Sequence, residues 1–67
     1  MADRLGNRLK ERRAEFGLTQ AELAERCGVT RKTVNTVENG VFVPSTILAL
    51  KLARALSEPV ETLFWLD

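Results

Sequence analysis

At 67 residues the chain is long enough for one domain with a small core, marginally stable alone and helped by a partner or by oligomerisation. Its 45% apolar and 28% charged residues exclude a disordered tail, and with one cysteine and no histidine it has no internal disulfide, no cysteine-based zinc site and none of the commonest general base. The formal net charge of +1 is low for a nucleic-acid binder, so the placement of charge matters more than its total.

No stretch approaches the ~20 apolar residues of a membrane span, and a start interrupted by Asp3, Arg4 and Asn7 does not resemble a signal peptide. A cytoplasmic protein without membrane contact is expected, with one domain over residues 1–67. Leu5, Leu9, Arg12-Arg13 and Phe16 follow helical spacing, which predicts helix 1 from about Ala2 or Asp3 to Phe16, closed by Gly17. Arg4, Arg8, Lys10, Arg12 and Arg13 crowd this first third. Arg8 and Arg12 suit phosphate contacts or a solvated face.

Thr19 with Glu22 three residues on is a capping box that opens helix 2, and Leu23 and Ala24 face inward. Cys27-Gly28-Val29 ends that helix, Gly28 being free to take a positive φ and Cys27 reading as buried filler rather than a redox switch. Thr30 caps helix 3, which runs to Asn39 and stops at Gly40. Two short helices about a Gly-containing turn, residues 19–40, make a helix-turn-helix pattern. At about 100° per residue, Arg31, Lys32, Asn35 and Thr36 fall within one arc of roughly 140°, opposite Val34 and Val37. Two cations, an amide and a hydroxyl suit base edges, since Arg or Lys bridges guanine O6 and N7 and Asn bridges adenine N6 and N7. A charged surface helix is also often just solvated; the capped helix and turn before it favour base reading.

Pro44 holds Val43 extended and Ser45 caps helix 4, about Thr46 to Leu56, whose Ile47, Leu48, Leu50, Leu52, Ala53 and Leu56 make it the core helix. Ser57-Glu58 is expected to cap a short helix 5 with Pro59 at its first position, running from Val60 to about Phe64. Leu63, Phe64, Trp65 and Leu66 are more apolar bulk than so small a core can cover. Either Leu63 and Phe64 plug the core, or the group forms an interface, with residues 58–67 as a dimerisation segment.

From Arg13 to Gly40 the chain closely resembles the Cro/CI-type (xenobiotic-response-element) helix-turn-helix repressors, at Leu18, Thr19-Gln20-Ala21-Glu22-Leu23-Ala24, Gly28-Val29-Thr30, Val34 and Val37-Glu38-Asn39-Gly40. The likeness runs more weakly through Pro44-Ser45 to the end. It implies an all-α, five-helix lambda-repressor-like domain and a structural ion pair between Arg13 and Glu38, not a catalytic one. It also implies a homodimer joined through helix 5 and the adjoining residues, sometimes by strand pairing. Relatives often carry a basic or polar phosphate-contacting residue just after the glycine; Val41 stands there here, which leaves the amides near Asn39 and Gly40 for that contact.

The function expected is a sequence-specific double-stranded DNA-binding regulator, a repressor on a pseudo-palindromic operator, needing no cofactor and no metal. Arg31, Lys32, Asn35 and Thr36 would read bases. Gln20, Thr19, Thr30, Asn39 and Gly40 would hold phosphates, Gln20 from the positive end of helix 2. The alternative is an antitoxin-like or adaptor module whose apolar C-terminus binds another protein. Catalysis is disfavoured, with no histidine, no paired buried carboxylates at helical spacing and no Gly-rich phosphate loop.

Overall fold

Five helices form where the apolar periodicity asks for them, and a small sheet forms where it does not. In the computed structural model, which describes residues 3–67, the order is β1 (Leu5–Asn7), α1 (Leu9–Glu15), α2 (Gln20–Cys27), α3 (Arg31–Glu38), α4 (Thr46–Ala55), α5 (Val60–Leu63) and β2 (Phe64–Leu66). Leu9, Leu23, Val34, Val37, Leu52, Leu56 and Leu63 are fully buried and draw one face from every helix into a single core, with Phe64 closing it. Burying each such side chain is worth about 1.5–3 kcal/mol over leaving it exposed. Hydrophobic burial therefore holds these short helices, none of which would persist alone in water.

Local chemistry sets their ends. Thr19, Thr30 and Ser45 each take an amide three residues on, from Glu22, Thr33 and Leu48, at 3.0, 3.2 and 3.1 Å. Thr19 and Glu22 complete the reciprocal capping box, the Thr19 amide donating to Glu22 Oε1 at 2.8 Å. Gly28, at φ +69°, turns the chain out of α2 in the left-handed region, where a β-carbon is strained.

The N-terminal segment departs from expectation. Helix 1 begins at Leu9, not near Asp3, and Ala2 lies outside the described residues. Leu5, Gly6 and Asn7 instead pair antiparallel with Leu66, Trp65 and Phe64, so the five-helix domain also carries a two-stranded sheet joining the two ends of the chain. The pairing is extended by the Asp67 amide to the Arg4 carbonyl, 2.8 Å, and the Arg8 amide to the Leu63 carbonyl, 3.0 Å. Asn7 then starts α1, its Oδ1 accepting from the Leu9 amide at 3.0 Å.

Gly6 makes the sheet possible: a β-carbon there would overlap the Trp65 indole, 2.7 Å from Cε2. Gly6→Ala is therefore expected to lift Trp65 off β1 and destabilise the fold by about 1–3 kcal/mol, as overpacking does, read as a lower urea midpoint and a red-shifted tryptophan emission. An unchanged midpoint would mean that the indole moves aside freely.

At the other end, α5 starts at Val60 with Pro59 as its N-cap residue, and neither Ser57 nor Glu58 caps it. The Glu58 carboxylate turns to Arg8 and Arg12 instead, 3.4 and 3.3 Å away. Ser57 takes φ +50° to close α4.

Candidate nucleic-acid interface

Packing α3 on α2 decides which side chains it shows. Val34 and Val37 are buried toward Leu23, Ala24 and Cys27 of α2, leaving Arg31 and Lys32 exposed and Asn35 and Thr36 half-buried on the outer face. Among the described residues neither Arg31 nor Lys32 has an acidic group within 4.0 Å, so both charges are open to an anionic partner. The Thr36 hydroxyl donates back to the Lys32 or Thr33 carbonyl, 3.0 and 2.9 Å away, and offers outward its methyl and a lone pair.

Behind this face sits Glu38, whose side chain is 2% exposed. Arg13 grips it two-pronged, Nε to Oε2 at 2.7 Å and Nη2 to Oε1 at 3.2 Å, while Arg13 Nη1 donates to the Leu18 carbonyl at 2.8 Å. Helix α1 is thereby tied to the end of α3 and to the entry of α2. Gln20 Nε2 also donates to Glu38 Oε1, at 3.0 Å, and Asn35 Nδ2 donates to Gln20 Oε1, at 3.4 Å. Asn7 Nδ2 donates to the Val37 carbonyl at 3.1 Å, fastening the terminal sheet to the last turn of α3.

A family model for the helix-turn-helix matches residues 9–63, all five helices of this arrangement. The chain belongs to the XRE-type helix-turn-helix family of transcriptional regulators. It is 51% identical over 61 residues to the uncharacterized HTH-type transcriptional regulator YgzD of Bacillus subtilis, covering 91% of this chain and 92% of that one. It is 55% identical over 60 residues to an uncharacterized HTH-type regulator of Methanothermobacter thermautotrophicus, with 88% and 87% covered. Among solved structures it is similar to the restriction-modification controller protein C.AhdI of Aeromonas hydrophila, at 40% identity and TM-score 0.78 over 82% of this chain and 83% of that one. This membership describes a DNA-binding transcriptional regulator. Among the described residues no helix is long and apolar enough to cross a membrane.

The regulator's other expected contacts fare unevenly. The amides of Asn39 and Gly40, expected to replace a basic residue at Val41, are taken up by the Asn35 and Val37 carbonyls, both at 3.1 Å. Those of Val41 and Phe42 both go to the Thr36 carbonyl, at 2.9 and 3.2 Å, because the chain closes α3 on itself before leaving it. This loop holds no free amide from residue 39 to residue 42. The Thr19 and Thr30 hydroxyls are N-caps, and Thr30 also shares a hydrogen with Thr33 Oγ1 at 3.1 Å. Gln20 turns its side chain inward, yet its own amide and that of Ala21, at the first positions of α2, find no acceptor among the described residues.

Arg8 and Arg12 are no part of this face. Arg8 pairs with Glu11, Glu15 and Glu58, and Arg12 with Glu15 and Glu58, while Arg12 also stacks on Phe16 and donates to the Leu56 carbonyl at 3.1 Å. The cluster pins α1 to the α4–α5 turn. Of the four residues expected at a dimer interface, Leu63 and Phe64 are buried in the chain's own core, and only Trp65 and Leu66 stand exposed, at 42% and 70%. Cys27 is buried in the core, and that burial pushes its thiol pKa up, against a smaller downward pull from Lys51.

Glu22 is held below the ordinary 4.5 by the Thr19 amide first and the Thr19 hydroxyl second. A carboxylate whose folded pKa is depressed contributes stability above its unfolded pKa and loses it as pH falls through the folded one. The difference in melting temperature between the natural chain and Glu22→Ala should therefore be full at pH 7 and shrink as the pH falls below 4.5. A difference that stays constant with pH would show that the capping box does not depend on the charge.

Proposed function

We propose that this regulator binds double-stranded DNA sequence-specifically as a homodimer, lays α3 in the major groove and represses by occluding the promoter it covers. The observation that carries the reading is the outer face of α3, where Arg31, Lys32, Asn35 and Thr36 stand together with both cations unpaired among the described residues. Arg31 and Lys32 suit guanine edges, Asn35 an adenine edge and the Thr36 methyl a thymine methyl. Helix α2 crosses the backbone, and the free amides of Gln20 and Ala21 with the Thr19 hydroxyl hold a phosphate at its positive end. Thr30 offers its hydroxyl in the same way, and Asn39 its remaining amide hydrogen. Two-fold symmetry places half-site centres about 34 Å apart. The chain acts in the cytoplasm without cofactor or metal.

Fluorescence-anisotropy titration over a salt series, against fragments of the protein's own upstream region and scrambled DNA, tests this. Preference for a symmetric site by at least ~10³-fold is expected; equal weak binding to both DNAs overturns the reading. Arg31→Ala should relax base preference at one position per half-site and cost about 1–3 kcal/mol there, whereas equal loss on every sequence would make Arg31 a phosphate contact only. The exposed Trp65–Leu66 edge would also serve an antitoxin-like or adaptor role; a stoichiometric heteromer in a pull-down, with no homodimer in sedimentation, favours that instead.

A further inference from the structure

The Gln20 side chain was expected at a phosphate, but its hydrogen bonds lead to a base-reading residue. A carboxylate gripped by a guanidinium accepts hydrogen bonds and donates none. Glu38, buried and held by Arg13, therefore admits only the nitrogen end of the Gln20 amide, at 3.0 Å. That turns Gln20 Oε1 away from Glu38 and toward Asn35. An acceptor there draws the Asn35 amide nitrogen, 3.4 Å away, which turns Asn35 Oδ1 away from Gln20. Amide orientations are read from their hydrogen-bond networks, and this network begins at a group with one possible role, so each step after it follows.

We infer that Gln20 is a positioning residue for specificity: it fixes the Asn35 amide with oxygen outward, in the sense that reads adenine. This rests on α3 reading DNA, as proposed above. Held so, Oδ1 accepts from the exocyclic amino group at adenine N6, and the second Nδ2 hydrogen reaches N7. The opposite orientation would face the amide nitrogen outward and suit the all-acceptor O6 and N7 edge of guanine. Helix α2 then contributes to sequence choice without touching a base, and the Arg13–Glu38 pair sets an orientation at the reading face as well as joining helices.

Selection from a randomised duplex library tests this with the natural chain, Asn35→Ala and Gln20→Met, the last matching the length of Gln20 without its polar atoms. The natural chain should select a symmetric consensus, and Asn35→Ala should identify the base pair that Asn35 reads, with adenine there. Gln20→Met should lower adenine preference at that same pair by about tenfold, with the other positions and the salt dependence unchanged. Equal loss on all sequences with the consensus intact would overturn the inference in favour of a phosphate contact. A guanine or thymine at the Asn35 pair would overturn the orientation. If the natural chain selects no sequence at all, it is the DNA-reading proposal that has failed. NMR of the natural protein needs no variant: Overhauser contacts between the Asn35 side-chain amide hydrogens and Gln20 support the inference, and their absence overturns it.

Discussion

Glu38→Ala is expected to cost the fold about 3–5 kcal/mol, the penalty for stranding one partner of a buried ion pair. The Arg13 side chain is only 14% exposed and would keep a single partner, the Leu18 carbonyl. A domain of this size stands near the lower end of the ~5–15 kcal/mol range of native stabilities, so the variant should be largely unfolded at room temperature. Urea titration followed by helical circular dichroism reads this as a midpoint shifted toward zero at similar slope. Arg13→Ala should behave alike. The double variant Arg13→Met with Glu38→Leu should lose less than either single one, because no charge is left without its partner. Loss below ~1 kcal/mol in the single variants, the range of a solvent-exposed pair, would show that water reaches Arg13 and Glu38 in solution.

The parts legible in the sequence were those set by near neighbours. Short polar residues before apolar runs mark the caps at Thr19, Thr30 and Ser45, and a glycine marks the turn at Gly28, because each interaction closes within four residues. The outer face of α3 follows from helical periodicity alone once Val34 and Val37 are inside. The Arg13–Glu38 pair came through likeness to the family, since spacing in the chain does not say which carboxylate meets which guanidinium.

What the sequence hid depends on distant partners. Leu5 and Leu9 are four apart and fit a helix as well as the strand end and helix start they occupy; a three-residue strand has too little alternation to announce itself. Gly6-Asn7, two poor helix formers, was the available local signal. The strand exists because residues 64–66 arrive beside it. Glu58 likewise sits where a helix cap would suit it, but the guanidiniums of Arg8 and Arg12 offer its carboxylate more than the α5 amides do. At the site, helical geometry identified Asn35 but said nothing of how its amide is turned. That depends on Glu38, three residues along α3, acting through a glutamine on α2.

Leu66→Glu is expected to have the largest effect on DNA binding. If Trp65 and Leu66 join two copies, a negative charge at this edge should leave a monomer that holds one half-site, and affinity for the full site should fall by about 10²–10⁴-fold. Leu66 is 70% exposed, so the fold itself should change by no more than ~0.5 kcal/mol. Trp65 is the poorer probe, because its ring covers Gly6 and its Nε1 donates to Asp67 at 3.0 Å, so its loss would disturb the sheet as well. Sedimentation should show the monomer, and anisotropy should give full-site affinity equal to that of an isolated half-site, itself unchanged from the natural chain. The Asn7 link to the Val37 carbonyl explains why this edge would matter to reading: an interface on the sheet is fastened directly to the end of α3, so joining two sheets sets the separation of two reading helices. A dimer that persists in Leu66→Glu, or full-site binding that does not fall, would move the interface elsewhere on the surface, where Ile47 and Leu50 on α4 are another exposed apolar pair.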